Sequence, residues 1–90
     1  MTAYLTEWKP RRSYYSDRNE VWELFDLNGK VVARTYCTGS GYRWYTTDAP
    51  FLHEDCPSME KVMEDSGRAL RQYGYEFISE ERAEKLRLLS

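Results

Sequence analysis

The sequence predicts a small α+β domain, and three observations support this fold class. The chain has 90 residues, enough for one modest hydrophobic core. Residues 20–47 contain three segments with strand-like alternation between two glycine-bearing turns, and residues 58–73 place apolar side chains at spacings of three and four. We therefore expect a single domain, 1–90, in which one helix packs on a three-stranded antiparallel meander and a short helix follows at residues 80–89.

Residues 1–19 are expected to form an N-terminal strand or arm followed by a loop. Residues 2–9 alternate weakly between apolar and polar side chains, so they form either a fourth strand at the sheet edge or an extended arm. Pro10 should end this segment, because proline donates no hydrogen bond to a ladder. The loop that follows combines arginine with tyrosine, a composition that suits base stacking, protein contact or a simple solvated connection.

The first hairpin of the meander is predicted at the turn from Asp26 to Lys30, where Gly29 supplies a positive φ. We expect a three-residue loop with a glycine bulge. A two-residue Asn-Gly turn would instead place Glu23 opposite Arg34, since a slip of one residue changes every cross-strand pair. The preferred register gives the pairs Phe25–Val31, Leu24–Val32, Glu23–Ala33 and Trp22–Arg34.

Both faces of the predicted sheet carry apolar or aromatic side chains. Residues 42–47, after the Thr-Gly-Ser-Gly turn, again place aromatic rings on both faces. One helix can cover only one face, so we expect the second face to be partly exposed and able to contact a partner. The preferred register puts Trp22, Leu24, Val32 and Tyr36 on one face, and Val21, Phe25, Val31, Ala33 and Cys37 on the other.

Residues 48–57 are predicted to be an irregular acidic connection. His53 and Cys56, even with Cys37 as a third ligand, do not complete the four-ligand set of a structural zinc site, so we predict no metal and no cofactor. The two cysteines occur without a secretory leader, which predicts free thiols and a cytoplasmic location. No apolar run approaches the roughly 18 residues of a membrane-spanning helix, so we expect no contact with a membrane.

The two helices have recognisable ends. Ser58 is the expected N-cap of the first helix, and Gly74 suits the left-handed position after its last turn. Gly67 lies inside this helix and costs about 1 kcal/mol relative to alanine, which suggests a close approach to the sheet. Ser79 is the expected N-cap of the second helix, which we expect to dock on the domain, because a short isolated helix is marginal in water.

The charges and motifs favour binding over catalysis. The net charge is −2, but residues 1–47 have seven Lys/Arg and five Asp/Glu, whereas residues 48–90 have six and ten. This asymmetry argues against a simple polyanion binder. The chain has one histidine and no nucleophile motif, and its glycine-rich turn lacks the Gly-Lys-Ser/Thr of a phosphate loop. We therefore predict a protein that is not an enzyme.

The segments VWELFDLNGKVVAR, GYRWYTT and SMEKVMEDSGRALRQYG give the chain a resemblance to small phage and prophage proteins with a β-β-β-α pattern. The resemblance covers about residues 20–74. Some such proteins are inhibitors of host defence, including anti-CRISPR proteins. The resemblance therefore implies a non-enzymatic inhibitor that acts in the bacterial cytoplasm by binding a host protein, such as a nucleic-acid-handling or CRISPR complex.

Two groups of residues would contact the partner of such an inhibitor. The acidic group, opposed only by Lys61, would face basic residues of the partner and imitate phosphate charge, although a solvated surface explains the same charges. Its members are Asp48, Glu54, Asp55, Glu60, Glu64 and Asp65. The aromatic anchors are Tyr14, Tyr15, Tyr42 and Trp44.

Two alternative functions remain open at this point. The strand order also resembles the three-stranded DNA-reading domains of integrase N-termini and plant ethylene-response factors, which implies sheet contacts from Trp22, Arg34, Arg43 and Trp44. A nucleic-acid-binding module would use Arg11, Arg12, Arg18, Arg34 and Arg43. A homo-oligomeric structural protein, such as a homodimer, would bury the second face of the sheet or the last helix.

Overall fold

The computed structural model describes residues 3–11 and 21–89. The predicted α+β class is confirmed, but the sheet is larger than the predicted three-stranded meander. In chain order the elements are β1 (Ala3–Leu5), β2 (Lys9–Arg11), β3 (Val21–Phe25), β4 (Val31–Thr38), β5 (Gly41–Thr46), β6 (His53–Cys56), α1 (Met59–Gln72), β7 (Tyr75–Phe77) and α2 (Glu80–Leu88).

Five strands form one antiparallel sheet in the order β2-β3-β4-β5-β6, and β1 pairs with β7 in parallel. The predicted meander is the central part of this sheet, β3 to β5. The irregular connection predicted at residues 48–57 is wrong in part, because it contains β6. The sequence of β6 is His-Glu-Asp-Cys, which lacks the alternation of apolar and polar side chains from which a strand is predicted.

Of the strand and the extended arm considered for residues 2–9, the structure shows short strands at the two ends: β1 pairs with β7, and Lys9 begins the edge strand β2. Leu5 forms a bridge with Asp26, and Lys9 pairs with Glu23. The four residue steps from Leu5 to Lys9 therefore lie opposite the three steps from Asp26 to Glu23. The extra residue makes the N-terminal segment bulge. The bulge turns the beginning of the chain away from the five-stranded sheet, where β1 meets β7.

Pro10 does not end the strand, so that prediction is wrong. It lies in the middle of β2, where it pairs with Trp22. Among the described residues, β2 is an edge strand with a neighbour on one side only. An edge tolerates proline because one side of the strand has no ladder to which an N–H group must donate.

The first hairpin combines the two registers considered from the sequence. Gly29 has a φ of 80°, and the pair nearest the turn is the predicted one. A β-bulge between Leu24 and Phe25 leaves Val32 as an additional residue on β4, so the remaining pairs follow the alternative register. The observed pairs are Phe25–Val31, Leu24–Ala33, Glu23–Arg34, Trp22–Thr35 and Val21–Tyr36.

The bulge changes which side chains share a face. Ala33 lies on the same face as Leu24, and Tyr36 shares the opposite face with Val21, so the predicted division of the strands is wrong at these positions. We call the face that packs against α1 the covered face. Its buried side chains include Leu24, Ala33, Thr35, Trp44 and Thr46.

Helix α1 packs on the covered face next to β5, β6 and β7. Ser58 is its N-cap, and its side chain accepts a hydrogen bond from the backbone N–H of Lys61. Gly74 follows the helix with a φ of 90°, as its predicted left-handed position requires. Val62 and Leu70 of α1 are fully buried and join the sheet residues in one hydrophobic core.

Helix α2 packs on the opposite side of the β1–β7 pair. The guanidinium group of Arg82 lies 5.7 Å from the ring centre of Tyr4 and 3.8 Å from a carboxylate oxygen of Glu76. Tyr4 and Glu76 alternate along β1 and β7 with Leu5 and Phe77, which pack in the core. The two helices therefore lie on different sides of the strands. Within the described part of the chain, neither helix has the length and apolar character needed to cross a membrane.

Candidate functional site

The face of β4, β5 and β6 opposite α1 is the candidate functional site, and we call it the open face. Strand registers place Arg34, Tyr45 and His53 in one row, while a second row contains Tyr36, Arg43 and Asp55. All six residues are partly or fully exposed. The open face is therefore the second face that the sequence predicted to be partly uncovered, and it consists of Arg34, Tyr36, Arg43, Tyr45, His53 and Asp55.

The two arginines of the open face are both paired with carboxylates. Arg43 donates from Nε and Nη2 to the two oxygens of Asp55, at 2.7 and 3.0 Å. This fork raises the pKa of Arg43 and lowers the pKa of Asp55. Arg34 donates from Nε to Glu23 at 3.0 Å, and this hydrogen bond raises the pKa of Arg34. The guanidinium charges of this face are thus compensated within the protein.

Two tyrosines lie beside these ion pairs. The rings of Tyr36 and Tyr45 are 6.2 Å apart between centres and meet edge to face at 65°. An edge-to-face pair restrains both rings and leaves apolar ring surface next to polar hydroxyl groups. Tyr36 is 36% exposed, so part of this surface is available to a partner.

The structure places the predicted nucleic-acid-binding arginines in different regions. Arg34 and Arg43 lie on the open face, where their rows are adjacent. Arg11 belongs to the edge strand β2 through its backbone pairing with Val21. Arg12 and Arg18 lie outside the described residues.

The four predicted aromatic anchors do not form one surface. Trp44 is 1% exposed and lies in the core. It pairs with Thr35 on the covered face, which packs against α1. Tyr42 is partly buried against the same core. The predictions for Tyr14 and Tyr15 lie outside the described residues.

Sequence reasoning missed Tyr36 and Tyr45 as surface anchors. In a strand, alternate residues face opposite sides, so Tyr45 must point away from whichever face contains Trp44. The charged Arg43, which lies on the same side of β5 as Tyr45, was the available signal that Tyr45 faces outward and Trp44 inward. Tyr36 then follows, because the β4–β5 register pairs it with Arg43 on the same face.

The predicted acidic group is divided among several places. Asp55 projects from the open face, whereas its neighbour Glu54 projects from the other side of β6 toward Asp65. Asp48 lies in the loop after β5, where its carboxylate is 3.0 Å from the Nζ atom of Lys30. Within the described residues the other ion pairs of this group are Arg43–Asp55, Lys61–Glu64, Lys61–Asp65, Arg68–Glu64 and Arg68–Asp65. Glu60 is exposed in the first turn of α1.

The closest group of metal-type ligands among the described residues joins β6 to α1. One ligand atom each from Glu54, Cys56 and Asp65 lies within 4.8 Å of the others. The hydrogen bond between the two carboxyl groups raises the pKa of Glu54 and lowers that of Asp65, as expected when two acids share a proton. Three ligands are one fewer than a structural zinc site uses, and His53 lies on the opposite face of the sheet.

No protein-family model matches this chain, and neither a curated protein nor a solved structure matches it.

Proposed function

We propose that this protein is a non-enzymatic binding protein that recognises a protein partner with the open face of its sheet. The observation that carries the proposal is the combination of a restrained tyrosine pair with compensated arginine charges. Protein interfaces are enriched in tyrosine and arginine, and their cores hold few uncompensated charges. The Tyr36–Tyr45 pair beside the Arg43–Asp55 fork has this composition.

The same observation disfavours nucleic-acid binding through the open face. Affinity for nucleic acid comes largely from cations that neutralise phosphate groups. On the open face Arg43 and Arg34 already have carboxylate partners at 2.7 and 3.0 Å. A phosphate would have to displace these carboxylates and would meet their negative charge nearby. A protein surface can instead keep both ion pairs and cover the tyrosine rings.

The resemblance of residues 20–74 to phage-type proteins supports a host protein as the partner. Binding would then inhibit the partner by covering its working surface, as an anti-defence inhibitor does. In this proposal the open face replaces the acidic surface as the main contact. A second copy of the chain is the alternative partner, which would make the protein a homo-oligomeric structural module.

The first prediction concerns the double variant Tyr36→Ala, Tyr45→Ala. We expect it to bind the partner at least about 30-fold more weakly, since a single tyrosine anchor that becomes buried on binding contributes about 2 kcal/mol or more. The partner is first captured from a bacterial lysate with the unchanged protein and identified by mass spectrometry. Its affinity is then measured with purified components. Glu84→Gln, an exposed substitution on α2, is the matched control and should bind normally.

Three results would contradict the proposal. The double variant could bind the purified partner as tightly as the unchanged protein while circular dichroism shows that both are folded. The unchanged protein could shift DNA or RNA at about 50 mM salt, which would favour the nucleic-acid alternative. Finally, sedimentation could show a dimer that the tyrosine substitutions dissociate, which would assign the open face to a second copy.

A further inference from the structure

A groove of about 250 Å³ lies on the α1 side of the molecule, away from the open face. It lies where the bulge between β1 and β2 approaches α1 and β7. The lining residues are Glu7, Trp8, Met63, Gly67, Arg71 and Phe77. Three of these side chains are large and apolar, so the groove offers an apolar surface to an occupant.

Contacts within the protein hold two parts of the groove wall. The indole Nε1 of Trp8 donates a hydrogen bond to the buried Oγ of Ser66 at 3.3 Å, and Trp8 is only 6% exposed. The guanidinium group of Arg71 lies 5.5 Å from the ring centre of Phe77, a cation–π contact. Met63 is 44% exposed, so an apolar side chain remains in water at the groove.

Gly67 forms the floor of the groove. The packing of the protein does not require a glycine at this position. A Cβ atom at this position would lie 3.6 Å from Nη1 of Arg71 and 3.8 Å from Cε2 of Phe77, both ordinary contacts. The close approach to the sheet that the sequence suggested is therefore wrong as a reason for this glycine. Alanine would fit and would favour the helix. The glycine keeps open a space that the fold itself leaves unused.

Arg71 gives the groove its charge preference. Among the described residues no carboxylate lies within ion-pair distance of Arg71, whereas the neighbouring Arg68 pairs with Glu64 at 3.2 Å. An acidic group of an occupant can therefore reach Arg71 without displacing another carboxylate. Glu7 also lines the groove and repels an acidic group, so the occupant's carboxylate should lie at the Arg71 end.

We propose that this groove binds a segment of a partner protein in which an apolar side chain is followed directly by Asp or Glu. The apolar side chain lies over Gly67, between Trp8 and Met63. The adjacent carboxylate pairs with Arg71 and compensates the positive charge of its guanidinium group. The site is separate from the open face, so it can fail without affecting the proposed function.

The test is a titration of the 15N-labelled protein followed by NMR, with acetyl-Leu-Asp-amide as the probe. The indole N–H of Trp8 and the amide of Gly67 should shift in proportion to bound peptide. The matched probe acetyl-Leu-Asn-amide has the same shape without the charge. It should bind about five- to tenfold more weakly, because it lacks the charge-assisted hydrogen bonds to the guanidinium group.

Three variants make the test specific to the groove. Gly67→Ala should raise the Tm by about 4 °C, since alanine favours the helix, and should nevertheless abolish binding because the added methyl group occupies the floor. Arg71→Gln should bind both peptides equally weakly. Arg68→Gln, one turn away and outside the groove, should bind like the unchanged protein.

Other results would overturn the proposal. Equal binding of the Asp and Asn peptides would remove the role of Arg71, and normal binding by Gly67→Ala would remove the role of the floor. Shifts of Trp8 and Gly67 that appear on raising the protein concentration without peptide would assign the groove to a second copy of the chain. Shifts confined to the open-face residues would place the peptide elsewhere.

Discussion

The thiol of Cys56 shows how one residue's chemistry is set by its position in this fold. Cys56 is 4% exposed, and its sulfur is 3.8 Å from oxygens of both Glu54 and Asp65. Burial contributes most and the two negative charges add to it, so the pKa of this thiol rises to about 11. A thiol that stays protonated at neutral pH is a poor nucleophile. Cys56 therefore serves the packing of β6 against α1.

This environment predicts slow alkylation of Cys56. The rise in pKa from 9.0 to about 11 lowers the thiolate fraction about 100-fold at pH 8, and burial slows the reaction further. Iodoacetamide labelling followed by peptide mass spectrometry should therefore modify the partly exposed Cys37 first. In urea both cysteines should react at similar rates. Equal rates in the folded protein would contradict the assignment.

The raised pKa of Cys56 also makes the stability of the protein depend on pH. A thiol whose pKa is raised by folding stabilises the native state below its ordinary value of 9.0. The stabilisation is lost as the pH rises through that value toward 11. The lowered pKa values of Asp48 and Asp55 act in the opposite direction, because their ion pairs are lost as the pH falls.

At the scale of elements, the hairpin between β3 and β4 determines which residues of β3 share a face with Arg34 and Tyr36. Gly29 adopts the left-handed region, where a residue with a Cβ atom is strained. No atom lies within 4 Å of a Cβ placed there, so substitution affects the backbone alone. The turn also contains Asp26, whose carboxylate accepts from the N–H groups of Asn28 and Lys30.

Gly29→Ala is predicted to lower the free energy of unfolding by about 1 to 2 kcal/mol, the cost of a left-handed alanine. Urea denaturation measures this loss. Gly39→Ala is the matched control, because Gly39 also has open space but no positive φ. Its stability should be equal to or greater than that of the unchanged protein. Equal losses from both substitutions would show that the left-handed conformation is not the cause.

Much of the element order could be predicted from the sequence, because it follows from local patterns. The strands of the meander, the N-cap residues Ser58 and Ser79, and both helices have strong local signals. The bulge beside Leu24 and the edge position of Pro10 depend on pairing partners, which one segment alone does not specify. β6 has no apolar alternation of its own and is a strand because β5 provides an edge to pair with.

The candidate site was less predictable for the same reason. Its location on an uncovered sheet face followed from the aromatic content of the strands. The identity of its residues did not, since either face of β5 could have been the inner one. The packing of α1 and the register of β4 and β5 together put Trp44 in the core and leave Tyr36 and Tyr45 on the open face.

At the scale of the whole molecule, the charge asymmetry of the sequence is compensated by the fold. Residues 1–47 have an excess of two positive charges and residues 48–90 an excess of four negative charges. Among the described residues, three ion pairs connect the two halves and place opposite charges together. They are Lys9–Glu80, Lys30–Asp48 and Arg43–Asp55, with nitrogen–oxygen distances of 2.9, 3.0 and 2.7 Å.

Because Arg43 and Arg34 of the open face are paired with Asp55 and Glu23, binding through this face should depend weakly on salt. We expect the dissociation constant of the protein complex to change less than about tenfold between 50 and 200 mM salt. A nucleic-acid complex with 6–10 phosphate contacts would instead lose about 10³ to 10⁵ in affinity over that range. Isothermal titration calorimetry with the purified partner measures the dependence. A steep decrease in affinity would indicate that the ion pairs open on binding.

The parallel pair of β1 and β7 connects Ala3 to Tyr75, 72 positions apart, whereas the meander joins neighbours across short turns. Short loops close at a lower entropic cost, so the meander should assemble first and the parallel pair last. Separation of β1 from β7 is then the easiest partial unfolding of the native protein. It would move the groove wall that Glu7 and Trp8 form directly after β1, while Phe77 keeps its contact with α1 and the open face stays in place. The groove can therefore open while the open face is retained.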